Sequence, residues 1–260
     1  MASPRNELPQ ALVGCIIDHR YKIEKFIAQG SFGYVYEATH EILGHPLRKV
    51  AFKLLKETSL NREKIADSLK DALSVTSLCS AYEHSQDTMH IIRVYDVGIC
   101  EPWDNRGFVV MEYISNDLEK VLENRHKHRL PVNTARNYAI QICRGIALAH
   151  KQNPPVLHRD IKPGNILIEK TGKVTVSDFG LAQAAGIVSG KTTGAGDYYC
   201  QAPESLEGEC STRTDVYSIG LILFEMLTGE HPFRELQQGR FATLSNEDQI
   251  AEHLRARSHG

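Results

Sequence analysis

Residues 156–167 read VLHRDIKPGNIL. An acid, Asp160, stands five residues before an amide, Asn165, with Lys162 between them. That set suits phosphoryl transfer. Asp160 can accept the proton of an attacking hydroxyl. Asn165 can hold a metal ion through its side-chain oxygen, and Lys162 can neutralise charge on the phosphoryl group in flight. The bland alternative is a charged surface loop with a local Asp160–Lys162 pair. The H-R-D triplet alone leaves that alternative open; the string through Asn165 is far more specific.

These residues need elements to position them. Residues 21–27 alternate polar and apolar and predict a strand. A glycine-bearing turn, 28–33 (AQGSFG), follows, and residues 34–39 resume β composition, so the pair predicts a hairpin. Backbone N–H groups of such a turn can close over phosphates, because glycine permits close approach. Strands are expected at 49–55, 90–99 and 107–113, with a turn at 101–106. The apolar spacing of 61–80 and 135–151 predicts helices, the second capped by Asn133 or Thr134. Residues 166–168 and 174–176 predict a short ribbon. The nearly all-apolar stretch 214–228 predicts the central helix of a second lobe.

Taken together, these motifs resemble the eukaryotic-type protein kinases, and Lys162 resembles the serine/threonine branch. The resemblance implies an α+β, bilobal fold. Its N-lobe is a small five-stranded antiparallel sheet with one helix, and its C-lobe is mainly helical. It further implies ATP and Mg²⁺ as cofactors and a protein substrate. Lys53, in Val50-Ala51-Phe52-Lys53, resembles the strand lysine that reaches the α- and β-phosphates. Gly30, Ser31 and Gly33 match the glycine-rich loop, with Ala28 where the first glycine usually stands. Val35 and Ala51 would flank adenine, with Leu167 part of the same nucleotide site. Met111 resembles the residue at the back of the pocket, and Glu112, Tyr113 and Ile114 the hinge. Asp117 either bonds the ribose or caps the helix that follows it. Asp178, in Ser177-Asp178-Phe179-Gly180, resembles the second metal-binding acid beside Asn165.

Regulatory residues follow from the same resemblance. The acid that pairs with the strand lysine falls on Asp71, or, in another register, on Glu63 or Asp67. The activation segment, 181–204, closes on Ala202-Pro203-Glu204 and holds Thr192 and Thr193. Arg159 could clamp a phosphate on Thr193; an unmodified polar loop is the alternative. Asp215 would tie the start of the central helix to the catalytic loop. Asp197 stands where the family usually has threonine.

The motif match covers about residues 20–233. The expected division is a loose tail at 1–15, an N-lobe at 16–113, a C-lobe core at 114–233 and a divergent end at 234–260. That end carries one short helical pattern at 247–257 and leaves the lobe to be completed by a partner or a missing segment. The cluster of Ala28, Asp71 and Asp197 keeps a second class open, a pseudokinase or regulatory binding module. A small-molecule phosphotransferase is a third, disfavoured by the Ala-Pro-Glu closure.

Composition narrows the classes. Among 260 residues, Lys+Arg 30 against Asp+Glu 32 is nearly neutral, which gives no electrostatic case for nucleic acid or an anionic membrane. Six cysteines with no C-x-x-C pair argue for free thiols in a reducing compartment. The apolar runs at 11–17 and 216–227 are too short for a signal sequence or a bilayer span. The expectation is a cytoplasmic protein.

Overall fold

A computed structural model of the chain describes residues 8–30, 33–56, 90–124, 129–179, 200–206 and 209–233. A short helix, α1 (Leu8–Ala11), leads into an antiparallel sheet. Its strands are β1 (Ile16–Ile17), β2 (Tyr21–Gln29), β3 (Gly33–Ile42), β4 (His45–Leu55), β5 (Val94–Cys100) and β6 (Arg106–Glu112). They lie in the order β1-β2-β3-β4-β6-β5. The expected five strands are therefore six. The extra one is the pair Ile16–Ile17, which zips onto Lys22 and Tyr21 of β2.

Among the described residues, 8–15 depart from the expectation of a loose tail at 1–15. Leu12 is fully buried in the sheet's core, and the backbone of Gly14 and Cys15 bonds to Ile23. Strand β5 starts at Val94 rather than at His90. His90 instead turns to the ribbon described below. The core of the sheet is aromatic: Phe52 stacks on Phe108 with centroids 4.9 Å apart, and Tyr21 and Tyr36 are buried beside them. Each such burial contributes about 1.5–3 kcal/mol.

The helical half holds α2 (Leu118–Glu123), α3 (Val132–His150), α4 (Pro203–Leu206) and α5 (Thr212–Thr228), with the two-stranded ribbon β7 (Ile166–Ile168) and β8 (Val174–Val176). Neither Asn133 nor Thr134 caps α3. Pro131 occupies the N-cap, with no side-chain bond, and its carbonyl accepts from Ala135 N. Proline's fixed φ suits an entry where no donor is needed. Ser211 caps α5 with a bond to Arg213 N, and Gly229 ends it at φ 81° in the left-handed region that favours glycine.

Ile142, Ile146 and Leu148 of α3 pack with Ile219, Ile222 and Met226 of α5 in one cluster that also takes in the ribbon. Two helices expected to be buried are so on one side only. Ile140 and Cys143 of α3, and Val216, Phe224 and Leu227 of α5, are exposed.

Candidate active site

The loop at 156–165 is held from below. Asp215, in the first turn of α5, is 1% exposed. Its carboxylate accepts from His158 N and Arg159 N, both at 2.9 Å, and from His150 Nε2 at 2.8 Å. An ionised carboxylate can only accept, so opposite it His150 donates through Nε2. Burial raises the Asp215 carboxyl, but the bond from His150, the nearby His158 and the two backbone donors outweigh it. They hold the carboxyl below its ordinary range. Arg159 sits at φ 66°, a left-handed conformation that L side chains rarely adopt. Asp215 grips the strained backbone at that residue.

His158 joins this loop to the ribbon. Its Nε2 donates to Ser177 O at 2.7 Å, and its Nδ1 accepts from Asp160 N at 3.2 Å. Its ring packs on Phe179, centroids 4.6 Å apart. The ribbon in turn pairs Ile166 with Val176, and Ser177 N donates to Asn165 O. Asn165 and Asp178 therefore flank the same strand ends, although the sequence separates them by a turn.

At the loop's tip the Asn165 amide nitrogen donates to Asp160 O at 2.7 Å and to Asp160 Oδ2 at 2.9 Å. Lys162 Nζ lies 3.1 Å from the same Oδ2. The three residues singled out first in the sequence are thus one bonded unit. Both contacts use the Asn165 nitrogen, so the side-chain oxygen faces the other way. Across the cleft, Lys53 is 3% exposed and its Nζ pairs with Asp178 Oδ1 at 2.8 Å. Asp178 also has a left-handed φ of 66°.

The candidate nucleotide residues assemble around one apolar cluster of Ala51, Leu55, Ile92, Val109 and Met111, with Ile114 and Leu167 packed against it. Met111 is 6% exposed, opposite Ala51 in the sheet. Leu167 comes from the other half, through its bridge to Asp117. Glu112 N bonds Arg93 O, and Tyr113 Oη donates to Glu37 at 2.8 Å, which fixes the connection between the halves. Val35 pairs with both Ala28 and Lys53.

Gly33 has a steric reason: a Cβ there would sit 2.5 Å from Leu54 O. Gly30 N bonds Gly33 O, and among the described residues a Cβ there would meet only that oxygen, at 4.0 Å. Ala28 lies in β2 outside the positive-φ residues, so that position does not require glycine here.

Asp117 takes the capping role. Oδ1 accepts from Lys120 N at 2.8 Å and Oδ2 meets Lys120 Nζ at 2.6 Å. Ser31, Asp71, Thr192, Thr193 and Asp197 lie outside the described residues, as do Glu63 and Asp67. Among the described residues no cluster of three His, Cys, Asp or Glu side chains could hold a metal, and no helix is long and apolar enough to cross a membrane.

Sequence reasoning missed three supports. Gln141, on the buried face of α3, accepts from Val174 N at 2.8 Å and donates to Gly172 O. His90 donates through Nδ1 to Val174 O at 2.8 Å. His150 completes the Asp215 cluster. A glutamine inside an apolar helical face is the one signal that marked any of them.

The sequence profile described as the protein kinase domain matches residues 21–258. That span runs past Phe233, where the motif match ends. Serine/threonine-protein kinase PrkC of Bacillus subtilis is 35% identical over 228 residues, 85% of this chain and 32% of its own length. A probable serine/threonine-protein kinase of Clostridium acetobutylicum is 33% identical over 227 residues, again 85% of this chain and 32% of its own. PknA of Mycobacterium tuberculosis is 32% identical over 230 residues, 49% of its length. The chain thus spans a third to a half of the length of these relatives.

Proposed function

Because this chain belongs to the protein kinase domain family, we propose that it transfers the γ-phosphate of ATP to serine or threonine hydroxyls of a protein, with Mg²⁺ bound. The observation that carries this reading is the bonded unit of Asp160, Lys162 and Asn165 facing the Lys53–Asp178 pair.

Asp160 accepts the proton of the attacking hydroxyl and orients it. The Asn165 bond to Oδ2 holds that carboxylate in place, and Lys162 beside it offsets charge on the transferring group. Lys53 holds nucleotide phosphates from the floor of the cleft. Ala51, Met111, Ile114 and Leu167 enclose the base, with Gly30 and Gly33 above the phosphates.

Asp178 and Asn165 fit a divalent cation. One carboxylate and one amide oxygen form a hard, all-oxygen donor pair, and the orientation of Asn165 directs its oxygen away from Asp160. Asp178 and Asn165 would hold such a cation, and it would supply charge neutralisation for the nucleotide phosphates. The rest is positioning, which the Asp215 anchorage supplies.

Replacing Asp160 by Asn tests the reading. The variant should bind nucleotide within about threefold of wild type while phosphate transfer to a generic protein substrate falls by at least about 100-fold. Equal turnover by the two proteins would refute it. A wild-type protein that binds nucleotide but transfers no phosphate would assign the domain to the binding-module class instead.

A further inference from the structure

The connection from the sheet to the helical half, residues 113–116, is anchored at each end. On the helical side Asn116 O accepts from Ile168 N. On the sheet side Tyr113 Oη donates to Glu37 Oε2 at 2.8 Å, a bond between residues 76 apart in the chain. Between the anchors Ile114 packs on the apolar cluster that includes Ala51 and Met111, and the Tyr113 ring packs on it too.

Glu37 stands in an apolar row. It pairs with Ala51 across β3 and β4, and Ala51 pairs with Met111 across β4 and β6. Residues paired in this way share a face of the sheet, so Glu37 points to the side that carries the apolar cluster. A carboxylate placed there needs partners. Oε2 has Tyr113. Oε1 has Lys49 Nζ at 2.5 Å, and the same ammonium lies 5.6 Å from the centroid of the Tyr113 ring. Side chains from β3, β4 and the connection thus close a triangle.

The Lys49 side chain is 60% exposed, and a lone surface ion pair contributes little. The bond from Tyr113 is of another kind, an O–H donated to a carboxylate whose side chain is only 19% exposed. Lys49 and then Tyr113 hold the Glu37 carboxyl below its ordinary range. Burial and then the bond to Glu37 push the Tyr113 phenol up to about 12. Near neutral pH the donor therefore keeps its proton and the acceptor its charge.

We propose that Glu37 is a positioning residue for nucleotide: fixed by Lys49, it holds Tyr113 to β3 and so keeps Ile114 and the connecting backbone where the base packs. The inference rests on the reading of the cleft as a nucleotide site. Without this clasp the connection occupies its binding-competent place for only part of the time, and affinity falls by that fraction.

Tyr113→Phe keeps the ring and deletes one bond; Glu37→Gln removes the charge that the bond is made to. Titration with a fluorescent ATP analogue and Mg²⁺ should give a Kd about fivefold weaker for each variant. The double variant should also lose no more than about fivefold, because both changes cut the same bond. In the nucleotide-free proteins, hydrogen exchange of the amides at 113–116 should be about fivefold faster in the variants, with those at 50–54 in β4 unchanged. In phosphate transfer the loss should fall on KM for ATP and leave kcat within about twofold. Weaker binding with unchanged exchange would overturn the proposal, by making Glu37 a direct contact. Faster exchange with unchanged Kd would overturn it by leaving the clasp no role in binding, and losses that multiply in the double variant would separate the two residues and overturn it too. A wild-type protein that binds no nucleotide overturns the reading of the cleft and this proposal together; wild-type binding that both variants match overturns this proposal alone.

Discussion

Asp215 shows how one buried carboxylate can govern a site it does not enter. Its three donors come from a helix end and two loop amides. Asparagine offers one acceptor oxygen and turns an N–H toward a donor, so Asp215→Asn should cost about 1–3 kcal/mol in urea unfolding. The same variant should lower the transfer rate more than it weakens nucleotide binding. Because the folded carboxyl is held below its ordinary value, its stabilisation is present above the unfolded value of about 3.9 and is lost as pH falls through the folded value. Unfolding free energy measured below about pH 4 should therefore fall more steeply for wild type than for Asp215→Asn. Lys53 and Asp178 are the other residue-scale pair: each holds the other, and under the proposed reaction Lys53 would also meet the nucleotide and Asp178 the cation.

The elements place these residues through few contacts. Strand β4 passes so close to Gly33 that a methyl group would meet the Leu54 carbonyl. Gly33→Ala should destabilise the protein by about 1–3 kcal/mol and weaken nucleotide binding, measurable by thermal unfolding and by fluorescent-nucleotide titration. Helix α2 starts at Asp117, whose carboxylate is engaged by Lys120 through both oxygens. Asp117→Ala should cost about 1 kcal/mol of stability, as lost caps do. Its KM for ATP should stay within about twofold of wild type, whereas a ribose contact would raise it well beyond that. Capping and strand approach follow from local geometry, so these two variants separate a positioning role from direct contact with nucleotide.

For the whole molecule, the sheet, ribbon and helices meet where Leu167 from one half packs against the Ala51–Met111 cluster of the other. A nucleotide bound there with its cation touches both halves, and binding to the folded state alone raises the melting temperature. A non-hydrolysable ATP analogue with Mg²⁺, at 100 times its Kd, should stabilise the fold by about 2.7 kcal/mol. With EDTA in place of Mg²⁺ most of that shift should disappear, and Asp178→Asn should show the small shift under both conditions. Much of this was legible in the residue order. The ribbon, the hairpin of β2 and β3, the helix ending at Gly229 and the catalytic string all rest on local rules: period, turn chemistry and short spacing. The string at 156–167 can specify Asp160, Lys162 and Asn165 because they sit within one loop. It could not show that His150 and Gln141 support that loop, that Leu12 closes the sheet, or that α3 and α5 each leave an apolar side open. Those facts depend on which surfaces meet across tens of residues, and only tertiary packing decides that.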